Sequence, residues 1–190
     1  MKKTGLIIVG VIAFVAVCLI GLYISTHNQI IALEEKVNTT YSDVKVQLQR
    51  RADLMPNLVN TVKGYTSHEE KIIQEITDAR AAINGANSVK ELSEADQKLT
   101  TALNNLNIIV ENYPDLKSSQ NFIALQDELA GTENRVATAR RDYNEAVKEY
   151  NTKIKTIPAS IIAGMMGAQE KEYFEVTDSS KEEVPEVNFD

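Results

Sequence analysis

The chain has 190 residues with a net charge of -7, two histidines, one cysteine and no tryptophan. One domain plus an apolar N-terminus fits that length, and the Ala-, Leu-, Ile-, Glu- and Lys-rich, glycine-poor composition suits helices better than sheets. The acidic balance argues against nucleic acid as a partner, whose phosphates need a basic face, and the lone Cys18 excludes an intramolecular disulfide.

The first element is an anchor. No residue from Thr4 to Thr26 carries a full charge, and Leu6–Ile24 is uniformly apolar. At ~1.5 Å per residue those residues span about 29 Å, the hydrocarbon thickness of a bilayer. Leu6, Ile7, Ile8, Phe14, Leu19, Ile20, Leu22 and Ile24 face lipid, and Tyr23 sits where an interfacial aromatic belongs. A cleaved signal would have a shorter apolar core and a small-x-small site after it, and a lipoprotein cysteine follows a small residue where Val17 stands here. We therefore read 1–27 as an uncleaved single-pass transmembrane anchor whose partner is the lipid bilayer. Lys2, Lys3 and the free amine precede it, and the first basic residue beyond it is Lys36. The positive-inside rule then places the N-terminus in the cytoplasm and the helical domain outside.

Residues 28–157 read as four helices. Ile30, Leu33, Val37, Tyr41, Val44, Leu48, Ala52, Met55, Val59 and Val62 recur at threes and fours, one helix face. Pro56 removes an amide donor and crowds the Ala52 carbonyl, which predicts a bend. Gly64 suits a left-handed cap. Ser67 with Glu70 forms a capping-box pattern at the start of the second helix, whose stripe is Ile72, Ile73, Ile76, Ala79 and Ile83. Asn84-Gly85 breaks it. Ser88 with Glu91 caps the third, with stripe Leu92, Ala95, Leu99, Leu103, Leu106 and Val110, ended by Tyr113-Pro114-Asp115. The fourth runs from about Ser118 to Ile157 with Phe122, Leu125, Leu129, Val136, Tyr143, Val147, Tyr150, Ile154 and Ile157 inward. Thr132/Glu133 and Ala139/Arg140 fill the gaps in its period, and Pro158 stops it. Short connections make neighbours antiparallel. The predicted fold is all-α: a transmembrane helix, then an antiparallel up-down four-helix bundle with long coiled-coil-like helices.

Residues 158–190 form the third region. The segment from Ile157 to Gly167 is apolar, uncharged and too short to span a bilayer. It folds back to close the base of the bundle, the reading we favour, or it docks on a membrane surface or partner through Met165 and Met166. From Glu170 to Asp190, eight acids stand against two lysines, which predicts a solvated tail.

Chemistry is sparse. His27 sits at the lipid interface, and His68 beside Glu69 and Glu70 reads as a capping-region polar residue rather than a ligand. The Glu-x-x-His pairs of a helical di-metal site and the His-Glu-x-x-His of a zinc hydrolase are missing. Cys18 lies in lipid and is no nucleophile, and Gly164 and Gly167 lack the strand and Lys-Ser/Thr of a phosphate loop. No cofactor, metal or small-molecule substrate is expected. The most informative polar set is Arg50, Arg51, Asp53 and Asn57 on the first helix and Glu133, Arg135, Arg140 and Arg141 on the fourth. Antiparallel packing can bring the two groups together. The plainer reading is surface charges or ion pairs that set the register of the bundle, and the sharper one is a polar groove for a partner peptide.

The stretch Gln47–Glu69, QLQRRADLMPNLVNTVKGYTSHE, resembles the signature of the LemA family. So do Glu111-Asn112-Tyr113-Pro114-Asp115-Leu116-Lys117, Asn121-Phe122 with Leu125-Gln126 and Leu129, Thr132-Glu133-Asn134-Arg135, Ala139-Arg140-Arg141 with Tyr143-Asn144, and the closing Val184-Pro185-Glu186-Val187-Asn188-Phe189. The region from Asn84 to Lys98 carries no family motif. The resemblance implies a bacterial membrane-anchored protein with an antiparallel four-helix bundle, located in the cytoplasmic (inner) membrane, and implies no reaction. It also implies the reverse orientation, with a small external N-terminus; we adopt the charge rule. The functional expectation is a non-catalytic scaffold or adaptor, with self-association or a membrane protein as partner. The alternative is a sensory or envelope-stress module acting on a membrane partner.

Overall fold

The computed structural model describes residues 2–66 and 69–175, and every regular element among them is an α-helix. In chain order these are α1 (Lys2–Asp53), α2 (Met55–Lys63), α3 (Glu70–Gly85), α4 (Val89–Val110), α5 (Pro114–Lys117), α6 (Gln120–Lys155) and α7 (Ala159–Met166). The expected Ser67 cap, His68 and residues 176–190 of the acidic stretch that begins at Glu170 lie outside the described residues. The others divide into two compact units, one built from 2–41 and 142–172, the other from 42–141 and 173–175.

In the first unit, residues 5–25 of α1 are exposed on every side. This is the one helix among the described residues long and apolar enough to cross a membrane. Farther along, α1 pairs antiparallel with α6. Lys153 Nζ donates to Gln29 Oε1 at 2.7 Å, Lys36 Nζ lies 2.7 Å from Glu149 Oε2, and the Tyr41 and Tyr143 rings stand 5.8 Å apart. Between these pairs Ile30, Val37, Ala146, Val147 and Tyr150 are buried, with Ile154 just beyond, at the spacing that turns one face of each helix toward the other.

One expectation about the end of α6 changes. The fourth helix stops at Lys155, and Ile157, placed on its buried stripe by sequence, is exposed because the chain has already left the helix. The apolar segment forms a helix of its own, α7, with Ala159, Ile162 and Ala163 buried and Ile161 and Met165 exposed. Gly167 ends it in the left-handed region at φ 69°, and the Ala168 amide donates to the Ala163 carbonyl at 3.0 Å. The start of the acidic stretch, expected to be solvated, is instead pinned to α6 by a reciprocal pair. The Lys171 amide donates to Asn151 Oδ1, and Asn151 Nδ2 donates to the Lys171 carbonyl, both at 2.9 Å. Tyr143 Oη–H donates to the Glu172 carbonyl at 2.8 Å. An apolar tail segment thus becomes part of the packed unit because side-chain amide and phenol groups supply the partners its backbone lacks.

The second unit has four helical passes: the end of α1 with α2, then α3, α4 and the first part of α6. The helix is interrupted at Leu54, and Pro56 occupies the second position of α2, where a missing amide costs least. Leu58 is fully buried and Val59, expected inward, is only half-buried. Gly64 is not a left-handed cap, contrary to expectation. It stays helical at φ -67° and ψ -19°, with its amide shared between the Asn60 and Thr61 carbonyls. α3 and α4 pack as a hairpin, with Asn105 Nδ2 donating to Glu75 Oε2. Ser88 caps α4 by accepting the Glu91 amide at 3.1 Å, while the Glu91 carboxylate accepts the Asn87 amide at 2.8 Å. Leu92, Leu99, Leu106, Leu116 and Phe122 fill the centre with Leu48, Met55 and Ile76.

Candidate functional site

Inside the second unit three helices bring charges into the core. Arg51, one turn before the α1–α2 interruption, is buried on the same stripe as Leu48 and Met55. Its Nη1 donates to Asp96 Oδ1 at 2.9 Å and to Thr100 Oγ1 at 3.2 Å, both on α4. Its Nη2 lies 2.5 Å from Glu133 Oε2 on α6. Arg140, two turns farther along α6, places Nη2 2.9 Å from Asp96 Oδ2 and 3.5 Å from Glu133 Oε1. Asp96 therefore lies between two guanidinium groups, and Arg51 joins α1, α4 and α6 at a single point. The four charges sum to zero. Phe174 closes the site, its buried ring 5.5 Å from the Arg140 guanidinium carbon. The next residue is held too, since Ser93 Oγ–H donates to the Glu175 carbonyl.

Burial pushes the Asp96 carboxyl above the usual carboxylate range, and the charges of Arg140 and Arg51 oppose that shift without cancelling it. An acid with a raised pKa in a cleft is a general-acid candidate. Here both carboxylate oxygens are already held by arginines and the side chain is 3% exposed, so no oxygen is presented to a substrate. The arrangement ties α1, α4 and α6 to one another.

A groove of about 440 Å³ opens beside the cluster, in the same unit. Leu58, Leu103, Leu106, Phe122 and Leu129 contribute apolar walls, Asn104, Asn107 and Gln126 a polar edge, and Arg51 and Glu133 one end. Gln126 Nε2 donates to Asn107 Oδ1 at 2.8 Å across part of that edge.

Of the eight polar residues singled out by sequence, the structure gathers three: Arg51, Glu133 and Arg140. Arg50, Asp53, Asn57, Arg135 and Arg141 are exposed. Asp53 accepts from Gln49 Nε2 at 2.9 Å, and the Asn57 carbonyl accepts from Thr61. Asp96, the centre of the cluster, was missed. Its signal was its position, four residues after Leu92 and three before Leu99 on the apolar face of α4, where an acid demands a partner. The nine anchor residues from Leu6 to Ile24 are all exposed. His27 has its ring 5.9 Å from that of Tyr23. No group of three or more His, Cys, Asp or Glu side chains able to hold a metal occurs among the described residues.

Known proteins resemble this chain along most of its length. Magnetosome protein MamQ 2 of Paramagnetospirillum magneticum is 26% identical over 194 aligned positions, covering 88% of this chain and 70% of that protein. Magnetosome protein MamQ of Magnetospirillum gryphiswaldense is 24% identical, with 88% and 69% covered. Protein LemA of Metamycoplasma hominis is 21% identical, with 85% and 74% covered. The LemA family pattern matches residues 40–189, which takes in the end of α1, the whole charge cluster and the tail. The chain belongs to the LemA family.

Proposed function

We propose that this protein is a non-catalytic, single-pass scaffold or adaptor of the bacterial inner membrane, with its helical domain outside the cytoplasm. On this reading the soluble part is an antiparallel up-down four-helix bundle with long coiled-coil-like helices. The observation that carries the proposal is the continuity of α1. A segment exposed on every side over residues 5–25 runs without interruption into the helix that supplies Val44, Leu48, Arg51 and Ala52 to a packed core. Nineteen consecutive apolar residues exposed to water are unfavourable, and lipid removes that cost. The buried cluster supports the non-catalytic part, because its charges are spent on one another. Lys2 and Lys3 ahead of the span support the orientation.

Cross-linking in native membranes coupled to mass spectrometry tests the role. Links between copies of this chain or to several membrane proteins are expected of a scaffold. One dominant foreign partner, with links concentrated around the groove, would replace it with a module that modulates that partner. A reporter fused after Asp190 and active only in the cytoplasm would reverse the orientation.

A further inference from the structure

α7 has two apolar faces and only one is covered. Ala159, Ile162 and Ala163 are buried within the first unit. Ile161 and Met165, four residues apart and so on one side of the helix, are 64% and 71% exposed. Ile157, just ahead, is 83% exposed. No Asp, Glu, Lys or Arg occurs from Thr156 to Gln169. The first charges on either side, Lys155 and Glu170, are paired with each other at 2.7 Å. An uncharged helix with a large apolar side chain on each exposed turn is a poor surface for water.

Its place in the unit says what covers it. The Lys153–Gln29 bond sets the last turn of α6 beside the fifth residue past Ile24. With α6 antiparallel to α1, the chain that leaves Lys155 continues toward the end of the span. Thr26 of α1 is buried there rather than exposed like its predecessors. The five-residue rise from Ile24 to Gln29 is about 7 Å, close to the thickness of one headgroup layer. By residue 170 the chain has turned back, since Lys171 reaches Glu34 at 2.7 Å. α7 therefore lies at the height where α1 leaves the hydrocarbon, the level also marked by Tyr23 and His27.

We infer that α7 is a second membrane contact, an interfacial helix that sets Ile157, Ile161 and Met165 into the boundary between headgroups and acyl chains. Its role is positional. The span supplies attachment, and α7 fixes the height and tilt of the unit at the bilayer surface. The inference rests on the membrane-anchor reading above.

Site-directed spin labelling of the full-length protein tests it, in phosphatidylethanolamine–phosphatidylglycerol vesicles and a Cys18→Ala background. Single cysteines are introduced by Phe14→Cys, Lys148→Cys, Ile161→Cys and Met165→Cys, all at exposed positions, and collision with oxygen is compared with collision with a nickel chelate. The Phe14 label is expected deep in lipid and the Lys148 label in water. Labels at 161 and 165 are expected between them, with an oxygen-to-nickel ratio several-fold above that at 148. A ratio at 161 and 165 equal to that at 148, with Phe14 deep, overturns the inference and leaves the anchor standing. Shielding of both labels from both reagents also overturns it, because protein rather than lipid then covers the face. An aqueous Phe14 label removes the anchor itself, and the inference falls with it.

Discussion

The two compact units join α1 to α6 with opposite chemistry. The second uses charge where water is scarce: Arg51, Asp96, Glu133 and Arg140 converge, and the Arg51 and Asp96 side chains are 5% and 3% exposed, with only Glu133 reaching water at 40%. The first uses rings and apolar side chains inside and puts its ions at the edge, where Lys36 and Glu149 remain 48% and 44% exposed. Both solutions hold the same two helices, yet they differ in what fails when one partner is removed. A buried charge without its partner is left in a medium that cannot solvate it, whereas an exposed one returns to water. The second unit should therefore be brittle at single positions and exacting about register, and the first tolerant.

The sharpest break is Arg51→Ala. It strips Asp96 and Glu133 of one cation and leaves Thr100 without a donor. A loss of about 3–5 kcal/mol is expected, read as a fall in the midpoint of urea unfolding. Asp96→Ala should cost a similar amount. The double replacement should cost clearly less than the two together, since each alone strands the other's charge. Additive losses would mean that the groups act separately and that the contrast between units is false.

The same cluster has a pH signature. The raised Asp96 pKa means that the folded state holds this proton more tightly than the unfolded chain does. Its contribution is fully present below the ordinary carboxylate value and is lost as pH rises through the folded value. The stability of the natural protein relative to an Asp96→Asn variant should therefore improve as pH falls from neutral toward 4. Equal slopes for the two proteins would remove the burial argument. In the first unit the corresponding group is Tyr143, whose phenol is pushed up to about 12, chiefly by burial, with Tyr41 and Glu172 adding to it. Its contribution is present below pH ~10, the ordinary tyrosine value, and lost as pH rises toward 12. Tyr143→Phe should flatten that alkaline decline, and at neutral pH it should cost about 0.5–1.5 kcal/mol for the lost bond to the Glu172 carbonyl.

Sequence showed the helices more clearly than it showed the cluster, and the reasons are physical. Spacing by threes and fours reports which face is buried, so α1, α3, α4 and α6 were legible, as was the Ser88 cap. Spacing leaves a choice where two apolar residues are adjacent: Leu58 lies three and Val59 four residues past Met55, both allowed on one face, and it is Leu58 that is fully buried. It also favours the commonest residue type on a stripe. Ala95 and Leu99 drew attention away from Asp96 between them, although one acid on an apolar face is the stronger signal. Arg50 and Arg51 are adjacent and alike in composition, and only their ~100° separation around the helix decides that Arg51 enters the core. The split character of α7 was not legible because every residue from Ile157 to Ala163 except Ser160 is apolar or proline, leaving no polar face to mark the side that packs.

The smallest expected effect completes the contrast. The Lys36–Glu149 contact at 2.7 Å is as short as any pair in the buried cluster except Arg51–Glu133, so distance alone would rank it among the strong ones. The hydrogen bond to Glu149 raises the Lys36 pKa, with burial opposing. Water screens both partners, and two long side chains must be ordered to hold the geometry. Lys36→Ala is therefore expected to leave the urea midpoint unchanged at physiological salt. A double-mutant cycle with Glu149→Ala should give a coupling near zero there, rising only as ionic strength falls and the screening length grows. A coupling comparable to that between Arg51 and Asp96, and insensitive to salt, would show that burial is not what separates the two units. The register of α1 on α6 would then be set by charge along its whole length, and the apolar and aromatic contacts at Val37, Tyr41, Tyr143 and Val147 would be filler rather than cause.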